Sequence, residues 1–196
     1  MAQSTKERLL ETGMALLLER GYHDLGIQAL LEETGTPRGS FYHHFSSKED
    51  FALEVIDRYM AEVHEGLDAC LGDTAAPPTV RVRRFFELSG EKYRREGYLG
   101  CLLGGLGQEL SGVNEVFRER IETCLSEIAG RIADCLEEAR AQGEIPADSS
   151  PTEMANVLLN CWEGAALRSR LWRSPKPLTQ VLDFYFGSVT AEGRVS

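Results

Sequence analysis

Residues 25–48, LGIQALLEETGTPRGSFYHHFSSK, confine this chain more tightly than any other stretch of it. Ile27, Leu30 and Leu31 recur at the spacing of one helical face, which predicts a short helix over 27–34. Gly35 then offers the left-handed stop that glycine takes without steric cost. Thr36 is expected to cap the helix that follows, and Pro37 fits its first position, where the missing N–H costs nothing. The order is helix, tight glycine turn, helix. Phe41 and Phe45, four apart, should face inward together, which turns Tyr42 and His43 outward.

The same period of 3.6 runs through almost all of the remaining sequence, and alternation of the strand kind is nearly absent. The fold class is therefore all-α, with about nine helices. A first helix capped by Ser4 or Thr5 should run to about Arg20, with Leu10, Met14, Leu17 and Leu18 on one side and Gly21 at its end. Ser46 or Ser47 should cap a fourth helix that carries Glu49 and Asp50 in its first turn and an apolar stripe from Ala52 to Leu67. GDTAAPPT, residues 72–79, is the clearest break. Beyond it the pattern predicts a fifth helix over 80–96, a glycine-rich stretch holding a helix that starts near Cys101, and a strongly amphipathic seventh helix over 114–142. An eighth helix is expected over 151–172 and a ninth over 178–190. The expected division is a helix-turn-helix domain over residues 1–50 and a larger helical domain over 51–196.

Charge restricts what such a chain can meet. The net charge is −10, and even residues 1–50 hold eight acidic side chains against five basic ones. Indiscriminate binding to a polyanion is thereby disfavoured. Residues 34–48 reverse the sign, with Arg38 and Lys48 and no acid among them. Any contact with phosphate must be local to that stretch. Five widely spaced cysteines without a CxxC pair suggest free thiols rather than a disulfide scaffold or a zinc ribbon. No signal-like or membrane-spanning run is found in the sequence, so the cytoplasm is the expected compartment.

In a helix-turn-helix, the N-terminal residues of the second helix enter the major groove of double-stranded DNA. Arg38 has the reach for a guanine edge or a phosphate, Ser40 can donate to either, and Gly39 leaves room for close approach. Thr36, Tyr42 and His43 join them on the expected DNA side, and Lys48 suits a phosphate. His43 and His44 point apart on a helix and have no ligand-spaced acid or cysteine, so no metal is expected. The string GIQALLEETGTPRGSFYHHFSSKEDF resembles the DNA-binding motif of the TetR family of transcriptional regulators, through Gly-Ser-Phe-Tyr-His-His-Phe followed by Lys48-Glu49. It departs from that pattern at Gly26, where many members carry a threonine cap. The resemblance implies a regulator, in most cases a repressor, that pairs as a homodimer through its last two helices and reads a near-palindromic operator. It also implies a small-molecule effector bound in the C-terminal domain. The ninth helix's own stripe, Val181, Leu182, Tyr185 and Phe186, is expected at that dimer interface.

GCLLGGLGQEL and WEGAALRSRL are similar to segments of a branch of this family that responds to acrylate or to electrophiles; Gly105 stands where that branch has asparagine. Cys101, just after Gly100 and near a helix start, is the thiol expected to sense, with Tyr93, Gln108 and Trp162 as expected pocket lining. Cys124 and Cys135 fall in the seventh helix's apolar stripe and read as packing residues. No nucleophile elbow, phosphate loop or zinc-protease motif is found, and Leu110 breaks the dinucleotide fingerprint, so neither an enzyme nor a cofactor is expected. A helical adaptor that binds protein through the turn motif is the alternative.

Overall fold

In the computed structural model, which describes residues 4–189, all regular structure among the described residues is helical. The order is α1 (Thr5–Asp24), α2 (Ile27–Thr34), α3 (Arg38–His44), α4 (Lys48–Leu71), α5 (Pro78–Arg95), α6 (Leu102–Leu110), α7 (Glu115–Ala141), α8 (Pro151–Trp172) and α9 (Lys176–Val189). The expected end of the ninth helix at Thr190 lies outside the described residues. None of these helices is long and apolar enough to cross a membrane. The chain packs as two compact units. The first runs up to Val63 and takes in Leu102–Cys124; the second holds His64–Cys101 and resumes at Leu125. Packing thus draws α6 and the start of α7 to the N-terminal helices, where the sequence suggested a single cut after residue 50.

In the first unit, Ser4 caps α1 with a reciprocal capping box: its side chain accepts the Glu7 N–H at 3.2 Å, and Glu7 accepts the Ser4 N–H at 2.8 Å. Gly21 breaks α1 with φ 80°, ψ 178°, and a last turn follows to Asp24. Gly35 is left-handed at φ 60° and ends α2 as expected. The residue after it differs from expectation. Thr36 donates its N–H back to the Leu31 carbonyl at 3.0 Å, which closes the helix end and pulls Thr36 inward. Pro37, not Thr36, is therefore the cap residue of α3, and no side chain caps that helix. Ser47 caps α4 by accepting the Asp50 N–H at 3.0 Å, and Asp50 accepts in return from the Ser46 N–H at 2.7 Å.

The core of this unit holds Leu9, Leu16, Leu30, Phe41, Phe45 and Phe51, each 2 % exposed or less. Gly13 of α1 lies directly on the Phe51 ring, where a Cβ would come within 2.2 Å of Cζ.

In the second unit, α9 packs on α8 and α5. Its inward stripe is Leu178, Leu182, Tyr185 and Phe186, all buried, with the Tyr185 hydroxyl donating to the Met154 carbonyl at 2.9 Å. This corrects the expected partner-facing set. Leu182, Tyr185 and Phe186 are consumed by their own subunit, and Val181 keeps partial exposure. Periodicity reveals that a stripe is covered, and here α5 and α8 are what cover it. Phe184, 79 % exposed, heads the outward face instead. Buried Arg81 ties this unit together by donating to the Leu71 carbonyl at 2.6 Å and pairing with Glu138.

Candidate nucleic-acid interface and thiol centre

Helix α3 is short, and its hold on the first unit is aromatic. Phe41, Phe45 and Phe51 form a closed triangle of rings with centroids 5.0–5.4 Å apart, in tilted and edge arrangements that suit their quadrupoles. With the inner positions so occupied, Pro37, Arg38, Gly39, Tyr42 and His43 are exposed and Ser40 is half-buried. The Arg38 guanidinium lies 5.7 Å over the Tyr42 ring, which restrains it without neutralising it. A Cβ added at Gly39 would meet nothing within 4 Å, so no packing inside the unit requires glycine there.

Two of the expected DNA-facing residues are placed otherwise. Thr36 is 5 % exposed, with its hydroxyl near Thr34 and Arg8, and the backbone bond that ends α2 is what turns it inward. Lys48 is half-buried: its ammonium lies 4.5 Å over the Tyr22 ring and donates to the His23 carbonyl at 3.4 Å. Burial lowers its pKa from the usual lysine range, against the pull of Glu109 and Asp24.

Those contacts lead to a residue the sequence reading missed. The Gly21 break frees the N–H groups of Tyr22 and His23, and Glu109 of α6 accepts both, at 2.7 and 2.6 Å. Its carboxylate also lies 2.5 Å from His23 Nδ1. Burial would raise the Glu109 carboxyl, but these donors outweigh it and leave the pKa below the usual range. The helix that begins one residue after Cys101 is thus fastened to the end of α1. The available signal was one acid in an otherwise uncharged segment, LLGGLGQEL.

The second unit holds the thiol centre. Cys101 is half-buried, immediately before α6 in the chain, and its side chain is hydrogen-bonded to Glu163 of α8. Burial raises the Glu163 carboxyl to about 7, and the bond to Cys101 offsets part of that rise. Glu163, like Glu109, is a single acid in an apolar run, NCWEGAAL. Beside it in sequence, Trp162 stacks obliquely on Phe86 at 4.9 Å and on Tyr93 at 6.0 Å, all three buried. Trp162 also floors a groove of about 300 Å³ whose rim includes Arg83, Glu87, Gly90 and Arg94. The expected pocket set therefore separates. Tyr93 and Trp162 come together, Cys101 shares their unit, and Gln108 is exposed on α6 in the first unit. Cys124 is fully buried, and Cys135 donates to the Pro78 carbonyl while burial pushes its thiol up to about 11, as packing residues should be.

A helix-turn-helix on a sealed aromatic base, in a chain whose regular structure among the described residues is all helical, is the architecture of a DNA-binding transcriptional regulator. The signature of bacterial regulatory proteins of the tetR family matches residues 9–55, and that of a tetracyclin repressor-like C-terminal domain matches residues 78–185. The chain belongs to the TetR family. It is 36 % identical over 178 residues to the transcriptional regulator AcuR of Cereibacter sphaeroides, covering 90 % of this chain and 81 % of that one. It is 31 % identical to the HTH-type transcriptional repressor DhaR of a Mycobacterium species, covering 92 % and 90 %. The crystal structure of Escherichia coli NemR in its reduced form superposes with a TM-score of 0.85 at 29 % identity, covering 98 % of this chain and all of that one.

Proposed function

We propose that this regulator is a repressor that reads a near-palindromic operator as a homodimer and leaves it when a small electrophile reacts at Cys101. Residues 1–50 carry the reading and residues 51–196 the pairing and the response. The observation that carries this reading is the outer face of α3. It presents Arg38, Gly39, Ser40, Tyr42 and His43 with no acid among them, on a base whose rings are wholly buried. A glycine at 39 that its own unit does not need is what close approach to a base edge calls for. DhaR is named a repressor, as is NemR of E. coli, whose solved chain is a reduced form; both facts favour repression and a thiol whose state matters. For pairing, the outward face of α8 and α9 exposes Leu167, Leu171, Trp172 and Phe184, with Arg168 stacked 4.6 Å over Trp172. An apolar face of that kind suits a second copy related by a two-fold axis.

The test is a mobility shift with a fluorescent duplex from the gene's own upstream region, titrated with salt and then with N-ethylmaleimide. The expected result is a salt-sensitive complex that Arg38→Ala weakens by about 1–3 kcal/mol and that N-ethylmaleimide dissociates unless Cys101 is serine. If no duplex shifts at low salt, the turn motif serves protein contact and the adaptor reading replaces this one. If Cys101→Ser is released as readily as the parent, reversible binding of an effector replaces thiol chemistry.

A further inference from the structure

A hydrogen-bonded thiol and carboxyl, both half-buried, are chemically more specific than a reactive cysteine alone. Cys101 lies in the loop before α6, and Glu163 reaches it from α8, flanked by Trp162 and close in sequence to Ala165 and Ala166, which are 5 and 2 % exposed. The carboxyl does not cap a helix end; Ser150 does that for α8. From α5, Tyr93 brings a phenol to the Trp162 ring, and further along α8 Arg170 donates to the Leu99 carbonyl at 3.2 Å, two residues before the thiol.

We propose that Glu163 is the acid–base partner of Cys101 in the addition of an uncharged α,β-unsaturated carbonyl compound. The proposal rests on the reading of Cys101 as the reacting thiol. The S–H bond breaks and its proton passes to the Glu163 carboxylate as sulfur bonds to the β-carbon of the alkene. The alkene's π electrons move to the carbonyl oxygen as an enolate. The enolate collapses and its α-carbon takes the proton back from Glu163. The sum is H–S added across C=C, with no leaving group and no oxidant, and Glu163 ends as it began.

This class is favoured over the other thiol reactions by what the carboxyl can do. Displacement at a saturated carbon needs a proton taken and never returned. Addition to a polarised alkene needs both steps from one group, which works best for an acid that is part ionised near neutral pH. Burial gives Glu163 that property. The same half-buried carboxylate repels an anion, so amides, aldehydes and esters should react ahead of free unsaturated acids.

The experiment follows alkylation of Cys101 in the full-length protein by acrylamide and by acrylate, from pH 5.5 to 8.5, with the site resolved by peptide mass spectrometry. Both rates are divided by those of glutathione to remove intrinsic reactivity. The expected result is a step in the acrylamide rate near pH 7, beneath the ordinary rise with thiolate. Glu163→Gln should lose the step and slow by about tenfold or more, and Glu163→Asp should keep it at an intermediate rate. Acrylamide should be favoured over acrylate by about tenfold beyond the glutathione ratio at pH 8, and that margin should vanish in Glu163→Gln. An unchanged profile, or faster labelling in Glu163→Gln, overturns the proposal. Circular dichroism checks each fold; if the glutamine variant does not fold, a step that Glu163→Asp leaves identical in height and rate overturns it as well. Labelling is read without DNA. A Glu163-dependent step with the operator still bound supports the chemistry while removing Cys101 as the sensor, so the two readings fail separately.

Discussion

Two aromatic clusters of nearly the same geometry serve this protein in opposite ways. Under α3, the rings of Phe41, Phe45 and Phe51 pack 5.0–5.4 Å apart, none of the three bearing a titratable group. In the second unit Phe86, Trp162 and Tyr93 pack at 4.9 and 6.0 Å, but the next residue after Trp162 is an acid near its midpoint at neutral pH, bonded to a thiol. The three phenylalanines of the first cluster carry no group that pH or an electrophile can alter, although Tyr42, His44 and Lys6 lie against them. The second places an alterable pair against the same kind of base. Under the proposed function the first cluster would hold the reading face and the second the responding thiol, and only a difference in affinity between two states could couple them.

The largest effect that could break this contrast is expected from Phe41→Ala. Removing a fully buried ring should cost about 3–5 kcal/mol. Both tryptophans, Trp162 and Trp172, belong to the second unit, so urea unfolding by tryptophan fluorescence should hold its midpoint while the transition by circular dichroism splits and moves earlier. If both probes shift together, the two regions unfold as one block and are not independent devices.

A middle-sized effect is expected from Glu109→Gln. It keeps the shape but trades charge-assisted acceptance from Tyr22 and His23 for neutral bonds, at about 1–2 kcal/mol. Faster amide exchange at Tyr22 and His23 is the readout, and unchanged exchange would make the α6 contact incidental.

An effect of about the same size is a pH dependence confined to the second unit. Glu163 holds its proton up to about 7 in the folded chain, whereas an unfolded glutamate releases it near about 4.3. The folded state therefore binds more protons between these values, and its stability falls as pH rises through that window. After allowance for solvent around a half-buried group the loss should be about 1–2 kcal/mol. The urea midpoint by tryptophan fluorescence should drop from pH 5 to pH 7.5 in the parent and stay flatter in Glu163→Gln.

What could be read in the sequence was local. Phe41 and Phe45 lie four apart, on α3 and at its C-terminal cap, Gly35 marks the turn by itself, and Ser4 and Glu7 make their box within one turn, so this unit is legible from neighbours. Thr36 shows where a local rule loses: threonine before proline suits a cap, yet its N–H was claimed by Leu31 five residues back. The bonds of Glu109 span 86 and 87 positions, and Glu163 meets Cys101 across an equally non-local pairing, so no spacing announces either. The ninth helix failed differently. Its stripe was correctly seen as covered, but a period cannot name the covering surface, and Leu182, Tyr185 and Phe186 turned out to be covered from within.

The contact of Gly13 with Phe51 sets a rule for anyone building chimaeras from this family. The Phe51 ring of α4 seats against α1 because one methyl group is missing at Gly13, and restoring it would drive a carbon to 2.2 Å from the ring. A reading head moved onto another regulator's body must carry both residues across the splice. A junction placed between positions 13 and 51, however well it preserves α3, would part the Phe51 ring from the glycine slot that receives it.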